Sequence, residues 1–458
     1  MELDMTKGSP AKLITKFIIP IIIGNIFQQL YSMVDTIIVG RFVGVDALAA
    51  VGATGSVSFL ILGFTQGLTT GFTVLTAQRF GAGDREGMRK SIGSAAILSV
   101  IVTIVMTAVS MTGMDSLLRV MNTPEDIFDM TKEYIMIICA GIACNVLYNL
   151  LSSILRAIGN SVVPLVLLVI ASVTNIVLDY VLIVYGHMGV GGAAYATIIS
   201  QGLSGVLCLI YIIKSVPSLH IRPEHCRLES QCVKNQLTVG IPMALQFSIT
   251  ASGAMVMQAA INLFGSVAVA AFTAASKVQN LVTQGMMSMG QTMASYGGQN
   301  YGKGDYHRLE KGVRSALLIS VIYSLLAAAA VGLFLRPLLS LFFSGDIDMA
   351  SLMPWAKTYI YMCAVFYIPL STIFIFRNIM QGCGYSFLPM MGGVVELFAR
   401  MITALIAMKL VSFPLACFCD PAAWVGAALF TGFSWLSVKK KLRASLLPED
   451  TSSSSEAK

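Results

Sequence analysis

Phe17-Ile18-Ile19-Pro20-Ile21-Ile22-Ile23-Gly24 opens an apolar run that closes on Val34-Asp35-Thr36-Ile37-Ile38-Val39-Gly40. A run of about 20 apolar residues is what crosses the hydrocarbon core of a bilayer as a helix. This one is too long for the apolar stretch of a signal peptide, and no small-residue cleavage site follows it. It therefore reads as a retained helix. Inside it sits a carboxylate, Asp35. Taking a carboxylate out of water is costly, so such a residue is neutralised, partnered or kept wet. Within a spanning helix it marks an ion or substrate pathway. The plainer alternative is an acid at the helix end among the lipid headgroups. A second acid, Asp179, lies inside a later apolar run and favours the functional reading.

The 458 residues are 56% hydrophobic and only 12% charged, against about a quarter charged in soluble domains. Apolar runs recur along the whole length. They predict an all-α polytopic membrane protein with twelve transmembrane helices, roughly at 12–40, 46–78, 91–113, 131–157, 161–185, 189–213, 235–263, 266–298, 311–335, 355–381, 387–411 and 417–438. A β-barrel would alternate apolar and polar residues over ten-residue segments, and none do. The net charge of +7 is spread over loops and carries no nucleic-acid signal. The nine cysteines are scattered, and several, such as Cys139, Cys144 and Cys208, lie within apolar runs as small core residues.

Basic residues set the expected orientation. One set of loops carries Lys7, Lys12 and Lys16, then Arg79, Arg85, Arg89 and Lys90, then Lys214, Arg222, Arg227 and Lys234. The same side continues with Lys303, Arg308, Lys311 and Arg314 and closes with Lys439, Lys440, Lys441 and Arg443. The span 115–133 on the other side is acidic. The positive-inside rule then puts both termini in the cytoplasm of a multi-pass protein of the plasma or inner membrane. The terminal stretch Ser452-Ser453-Ser454-Ser455-Glu456-Ala457-Lys458 reads as disordered.

An internal repeat organises the chain. Ile19-Pro20 recurs as Ile241-Pro242. Gln78-Arg79-Phe80-Gly81-Ala82-Gly83-Asp84 recurs as Gln299-Asn300-Tyr301-Gly302-Lys303-Gly304-Asp305, an offset of 221. Gly159 and Pro164 match Gly384 and Pro389 at an offset of 225. Two copies of six spans insert with the same orientation, so they form two six-helix lobes related by a pseudo-twofold axis along the membrane normal. The expected parts are an N-terminal lobe (1–214), a cytoplasmic linker (215–234), a C-terminal lobe (235–438) and a polar cytoplasmic tail (439–458). A cleft between two such lobes is the usual place for a transported substrate. Pro20 and Pro242 lie inside the first helix of each lobe and kink it, as fixed packing features or as hinges.

Asn175 and Asp179 sit one turn apart on the fifth span, and Thr197 lies on the sixth. With Asp35 they offer two carboxylates, an amide and a hydroxyl, all oxygen donors. That set suits a proton or a hard cation such as Na+. For Asn175 or Thr197 alone, a helix-bridging hydrogen bond is the plainer account. No other metal site is expected. The second half lacks this set: Met257 stands opposite Asp35, and spans seven, eight and ten hold no acid. Its intramembrane charges read as Lys277, Glu396 and Arg400, the last two as an ion pair one turn apart. A candidate substrate cleft is assigned to Lys277, Gln284, Met287, Glu396 and Arg400.

Enzyme signals fail. Gly297-Gly298-Gln299-Asn300-Tyr301-Gly302-Lys303-Gly304 nearly spells a phosphate-binding loop, but no Ser or Thr follows the lysine and no strand precedes it. No ATP site is expected, so movement is driven by a gradient. His220, His225, Cys226 and Cys232 match no zinc spacing.

Over essentially its whole length the chain resembles the multidrug and toxic compound extrusion (MATE) family. The resemblance rests on Gln28-Gln29-Leu30-Tyr31-Ser32-Met33-Val34-Asp35, the paired Gln-x-x-x-Gly-x-Gly-Asp segments, Gln381-Gly382-x-Gly384 with Pro389-Met390, and Glu396 with Arg400. It implies two six-helix lobes and export of lipophilic, often cationic compounds in antiport with H+ or Na+ by alternating access. No cofactor is expected, the expected partners are drug-like or toxic small molecules and membrane lipids, and the expected working unit is a monomer. In DinF-like members the cation site lies in the amino-terminal lobe, and its residues fall here on Asp35, Asn175, Asp179 and Thr197. The bending proline of that branch falls on Pro20. Branches with acids on spans seven and ten are not matched, which argues against a second cation site. The alternative is a flippase of lipid-linked oligosaccharide or lipid with a related two-lobe fold. It would need several basic residues in the cleft, and only Lys277 and Arg400 are expected there. Neither an intramembrane enzyme nor a pore-loop channel fits.

Overall fold

Each stretch predicted to cross the bilayer folds as a helix, the form in which a segment in hydrocarbon satisfies its own backbone groups. The computed structural model describes residues 3–121, 123–340 and 349–447, with no strand among them. In the first half α1 (Pro10–Phe42), α2 (Val45–Gly81) and α3 (Arg85–Val120) are followed by α4 (Glu125–Ala140), α5 (Ile142–Ala157), α6 (Val162–Tyr180) and α7 (Gly189–Ser215). The second half repeats the order. It holds α8 (Ser230–Ile261), α9 (Gly265–Gly302), α10 (Tyr306–Ser340), α11 (Met349–Val365), α12 (Tyr367–Gly382), α13 (Phe387–Leu410), a short α14 (Phe413–Cys417) and α15 (Cys419–Leu446).

The pairs α4–α5 and α11–α12 are each one span, bent by 46° and 52° at the same place in the two halves. Each half thus crosses six times, and the protein is a twelve-helix membrane bundle in two lobes. Among the described residues every span but α9 is apolar enough to cross by composition. α9 is 38 residues long but faces a central cavity with Lys277, Gln279, Asn280, Thr283, Gln284 and Gln291. A helix that lines a polar cavity needs no lipid-facing surface along that side.

The repeated Gly-x-Gly-Asp segments are turn-and-cap devices. Gly83 and Gly304 take φ of 75° and 78°, a left-handed conformation that glycine adopts without strain. The aspartate that follows caps the next helix. Asp84 Oδ1 accepts from the Gly87 amide at 2.8 Å, and Asp305 Oδ1 accepts from the Arg308 amide at 2.9 Å.

At the basic end of the bundle the two lobes meet in a reciprocal seam. Gln78 Nε2 on α2 donates to the Gly382 carbonyl at the end of α12, at 2.9 Å. Gln299 Nε2 on α9 donates to the Ala157 carbonyl at the end of α5, also at 2.9 Å. Donors and acceptors are repeat equivalents. A Cβ on Gly81 would collide with the Gln299 carbonyl and one on Gly302 with the Gln78 carbonyl, so the approach needs glycine on both sides. The segment before α1 is bolted over this seam. The Met5 amide donates to Gln299 Oε1 at 2.9 Å, and the Met5 carbonyl accepts from Arg308 Nη2 at 2.9 Å.

Two expected boundaries move. α8 begins at Ser230, inside the predicted linker, because Gln236 is buried there and bonds the Phe72 and Ser91 carbonyls at 3.2 and 2.8 Å. α15 runs to Leu446 instead of ending at 438, because Val438 and Leu442 are fully buried and Lys439 pairs with Glu310 at 2.8 Å. The linker is packed, with buried His225 placing Nε2 3.1 Å from Glu86 Oε1. The serine-rich stretch 452–458 lies outside the described residues.

Candidate functional site

α1, α6 and α7 bring the four predicted oxygen donors to one place in the first lobe. Asp35, Asn175 and Thr197 line a cavity of about 320 Å³. Asp179 lies behind them, fully buried, close enough to Asp35 for the two carboxyls to interact. Asp35 is 9% exposed and Asn175 1%. Asp35 Oδ1, both Asp179 oxygens and both Asn175 amide atoms have no hydrogen-bond partner among the described residues. Each buried polar atom left unpaired costs about 1–3 kcal/mol. A cluster of them is an environment built for an occupant, either a proton bridging the carboxylates or a cation among the oxygens. The donor chemistry fits a proton or Na+. Among the described residues no three His, Cys, Asp or Glu side chains come together as metal ligands.

Two residues after Asp179, α6 gives way to a five-residue π turn, Val181–Tyr185. Such turns widen a helix locally and are frequent at functional sites. Pro20, inside the continuous helix α1, lines the same cavity. Tyr31 and Tyr134 also line it. Neither tyrosine is among the site residues expected from the sequence. Tyr31 stands one turn from Asp35, which is the signal that would have found it.

A second, larger cavity of about 910 Å³ lies between the lobes above the seam. All five predicted cleft residues line it: Lys277, Gln284, Met287, Glu396 and Arg400. The expected Glu396–Arg400 pair is part of a wider network. Arg400 Nη2 donates to Glu396 Oε1 at 3.2 Å and to Asp420 Oδ1 at 2.9 Å. Arg377 Nη2 donates to Glu396 Oε2 at 3.3 Å, and Tyr359 Oη donates to Asp420 Oδ2 at 2.9 Å. The network ties α11, α12, α13 and α15 together through residues 8% exposed or less. Buried charges persist when they are paired and hydrogen-bonded in this way. Gly253 on α8 makes room for it, since a Cβ there would collide with Arg400 Nη1.

The expectation of only two basic residues in the cleft is wrong. Arg156 and Arg377 line the cavity as well. Arg156 ends α5 and donates to the Ser152 and Ser153 hydroxyls at 3.1 and 3.3 Å. The two cavities share Ser32, Gln66, Arg156 and Gln291 as a common wall. Whatever fills one is therefore in contact with the lining of the other.

The family model described as MatE matches residues 20–181 and 242–416, one block in each half. A probable multidrug resistance protein, YpnP of Bacillus subtilis, is 28% identical over 381 residues, 83% of this chain and 84% of that protein. The crystal structure of MATE in the bent conformation superposes with a TM-score of 0.88 at 25% identity, covering 96% of this chain and 98% of that one. An outward-facing multidrug resistance MATE family transporter of the MOP superfamily superposes with a TM-score of 0.86 at 25% identity, covering 97% and 98%.

Proposed function

The chain belongs to the multidrug and toxic compound extrusion family, a family of membrane transporters and not of enzymes, and from that premise we propose that it is an ion-coupled exporter whose coupling site is Asp35 with Asp179. The observation that carries the proposal is the pair itself. Two interacting buried carboxylates hold three of the five unpartnered buried atoms, Asn175 holds the other two, and the cavity they line or adjoin shares a wall with the central one. Two such acids in a low-dielectric site do not both stay ionised without a proton or a cation between them.

The basic end is read as cytoplasmic, with both termini there, in a plasma or inner membrane. The seam at Gln78 and Gln299 then closes the cytoplasmic side, and the form described is outward-facing. A cation entering from outside binds Asp35, Asp179, Asn175 and Thr197. Loading neutralises the pair, lets α1 repack about Pro20, and alters the shared wall at Ser32 and Gln66. Cargo leaves the central cavity outward. The lobes then rock about the seam, and the cation is released inward. The coupling ion is H+ or Na+, no ATP or cofactor enters the cycle, and a single chain holds every part of it. Cargo is drug-like and lipophilic. Lipophilic cations, the expected typical cargo, meet a cavity with four bases and two acids. A flippase is the second reading, favoured by the two bases that the sequence reading missed.

The test is dye efflux from cells, for wild type and Asp35→Asn, with proton and sodium gradients collapsed separately. Collapse of one gradient stops wild-type export and names the ion, while Asp35→Asn inserts normally and exports at the background rate. Export by Asp35→Asn equal to wild type overturns the assignment.

A further inference from the structure

We propose that the central cavity binds amphiphilic organic anions, with Lys277, Arg377 and Arg400 as the subsite for a carboxylate or phosphate group. The reasoning starts from charge. Arg156, Lys277, Arg377 and Arg400 line the cavity, against Glu396 and Asp420, so the lining carries a net +2. Glu396 and Asp420 are already committed to Arg377 and Arg400. Lys277 has neither an ion pair nor a hydrogen bond among the described residues.

A second observation is independent of the charge count. The Nε–H groups of Arg377 and Arg400 have no acceptor among the described residues, although both side chains are 5% exposed. Their carboxylate partners occupy only the Nη2 positions. A buried guanidinium with an unpaired Nε–H has capacity for one more acceptor, which an anion in the cavity would supply once the side chain turns that edge toward it.

The third argument is level. Phe272 on α9 meets the Tyr359 ring at 4.7 Å between centroids, and Tyr359 bonds Asp420. Lys277 lies five residues farther along α9, about 7.5 Å at helical rise. Glu396 lies one turn below Arg400 on α13, in the same direction. Lys277 therefore lies on α9 near the depth of the guanidinium network, and all three basic residues line the same cavity. Phe59, Phe247, Phe374 and Trp424 line the rest of the wall and would take an apolar or aromatic body. Lipophilic cations are disfavoured by the same charges.

The proposal rests on the export reading for the direction of movement only; binding is separable from it. The full-length chain in detergent is titrated with carboxyfluorescein, an amphiphilic anion, and with ethidium, a lipophilic cation, and anisotropy reads the bound fraction. Wild type binds the anion more tightly than the cation. Lys277→Ala weakens anion binding by about tenfold or more while sparing the melting temperature, and Lys277→Arg restores it. Lys277→Glu reverses the preference between the dyes. Displacement of carboxyfluorescein by short-chain phosphatidylglycerol but not phosphatidylcholine extends the subsite to lipid phosphates, and no displacement by either confines it to soluble anions. Anion binding unchanged in Lys277→Ala, or ethidium bound by wild type in preference to carboxyfluorescein, overturns the proposal. Anion binding without export in proteoliposomes under either gradient sinks the export reading and leaves the anion subsite standing.

Discussion

Replacing Gln78 and Gln299 together with methionine removes the reciprocal bonds of the seam without changing side-chain length. Gln78 makes one interlobe bond, to Gly382, and Gln299 makes one, to Ala157, plus a third that holds the Met5 amide. A neutral hydrogen bond contributes about 0.5–1.5 kcal/mol net. Three of them favour the closed seam by about 1.5–4.5 kcal/mol, and their loss shifts the equilibrium between closed and open seams by about 10-fold to 2,000-fold. In an opened seam the same groups meet water, so the variant chain still folds. Spin labels at Arg85 and His307, exposed residues beyond the two ends of the seam, report its width by pulsed electron spin resonance once exposed Cys226 has been replaced. Wild type gives one short distance. The double variant adds a longer one, and Gln299→Met alone, losing two bonds, adds more of it than Gln78→Met alone. A folded double variant whose distance distribution matches wild type would refute the seam as the barrier to opening.

Gly253→Ala drives a methyl into the Arg400 guanidinium; the overpacking costs about 1–3 kcal/mol, and thermal melting in detergent is expected to fall accordingly. Asp84→Ala and Asp305→Ala each remove a helix cap, at about 0.5–2 kcal/mol apiece. Their melts should be similar, because the two caps occupy equivalent places in the repeat. Pro20→Ala restores a backbone donor inside α1. It is expected to raise the melting temperature and to slow export in the dye assay, whereas faster export would remove Pro20 from the cycle.

The spans were readable because lipid imposes one rule on every exposed side chain, and α9 shows the limit of that rule. Its polar residues face a cavity that exists only once two lobes are assembled. The grouping of the proposed coupling residues was readable because Asn175 and Asp179 share a helix face and Asp35 is an acid in an apolar run. The charge network was half read. Glu396 and Arg400 are one turn apart, but Arg377 and Asp420 come from two other helices, and no local spacing announces them. Asp420 also sits at the start of α15, where an acid ordinarily signifies a helix terminus. Arg156 was hidden in the same way, by its place at the end of α5. The π turn after Asp179 leaves no mark in residue spacing at all.

The seam makes the single chain a dimer of itself. A contact between two copies related by a twofold axis is isologous: each residue meets its counterpart's partner, and every interaction occurs twice. Gln78 with Gly382 and Gln299 with Ala157 obey that rule within one polypeptide. A change at one half of such a seam must suit the other half too, and this ties the two copies to one sequence there. No such tie binds the lining of the cavities, where side chains face open space and no backbone approach demands one residue on both sides. One half can keep carboxylates at Asp35 and Asp179 while the other carries Met257 opposite and gathers arginines instead. The duplicated chain thus holds its seam fixed and leaves its two chambers free to specialise, in the proposed cycle one for the ion and one for the cargo.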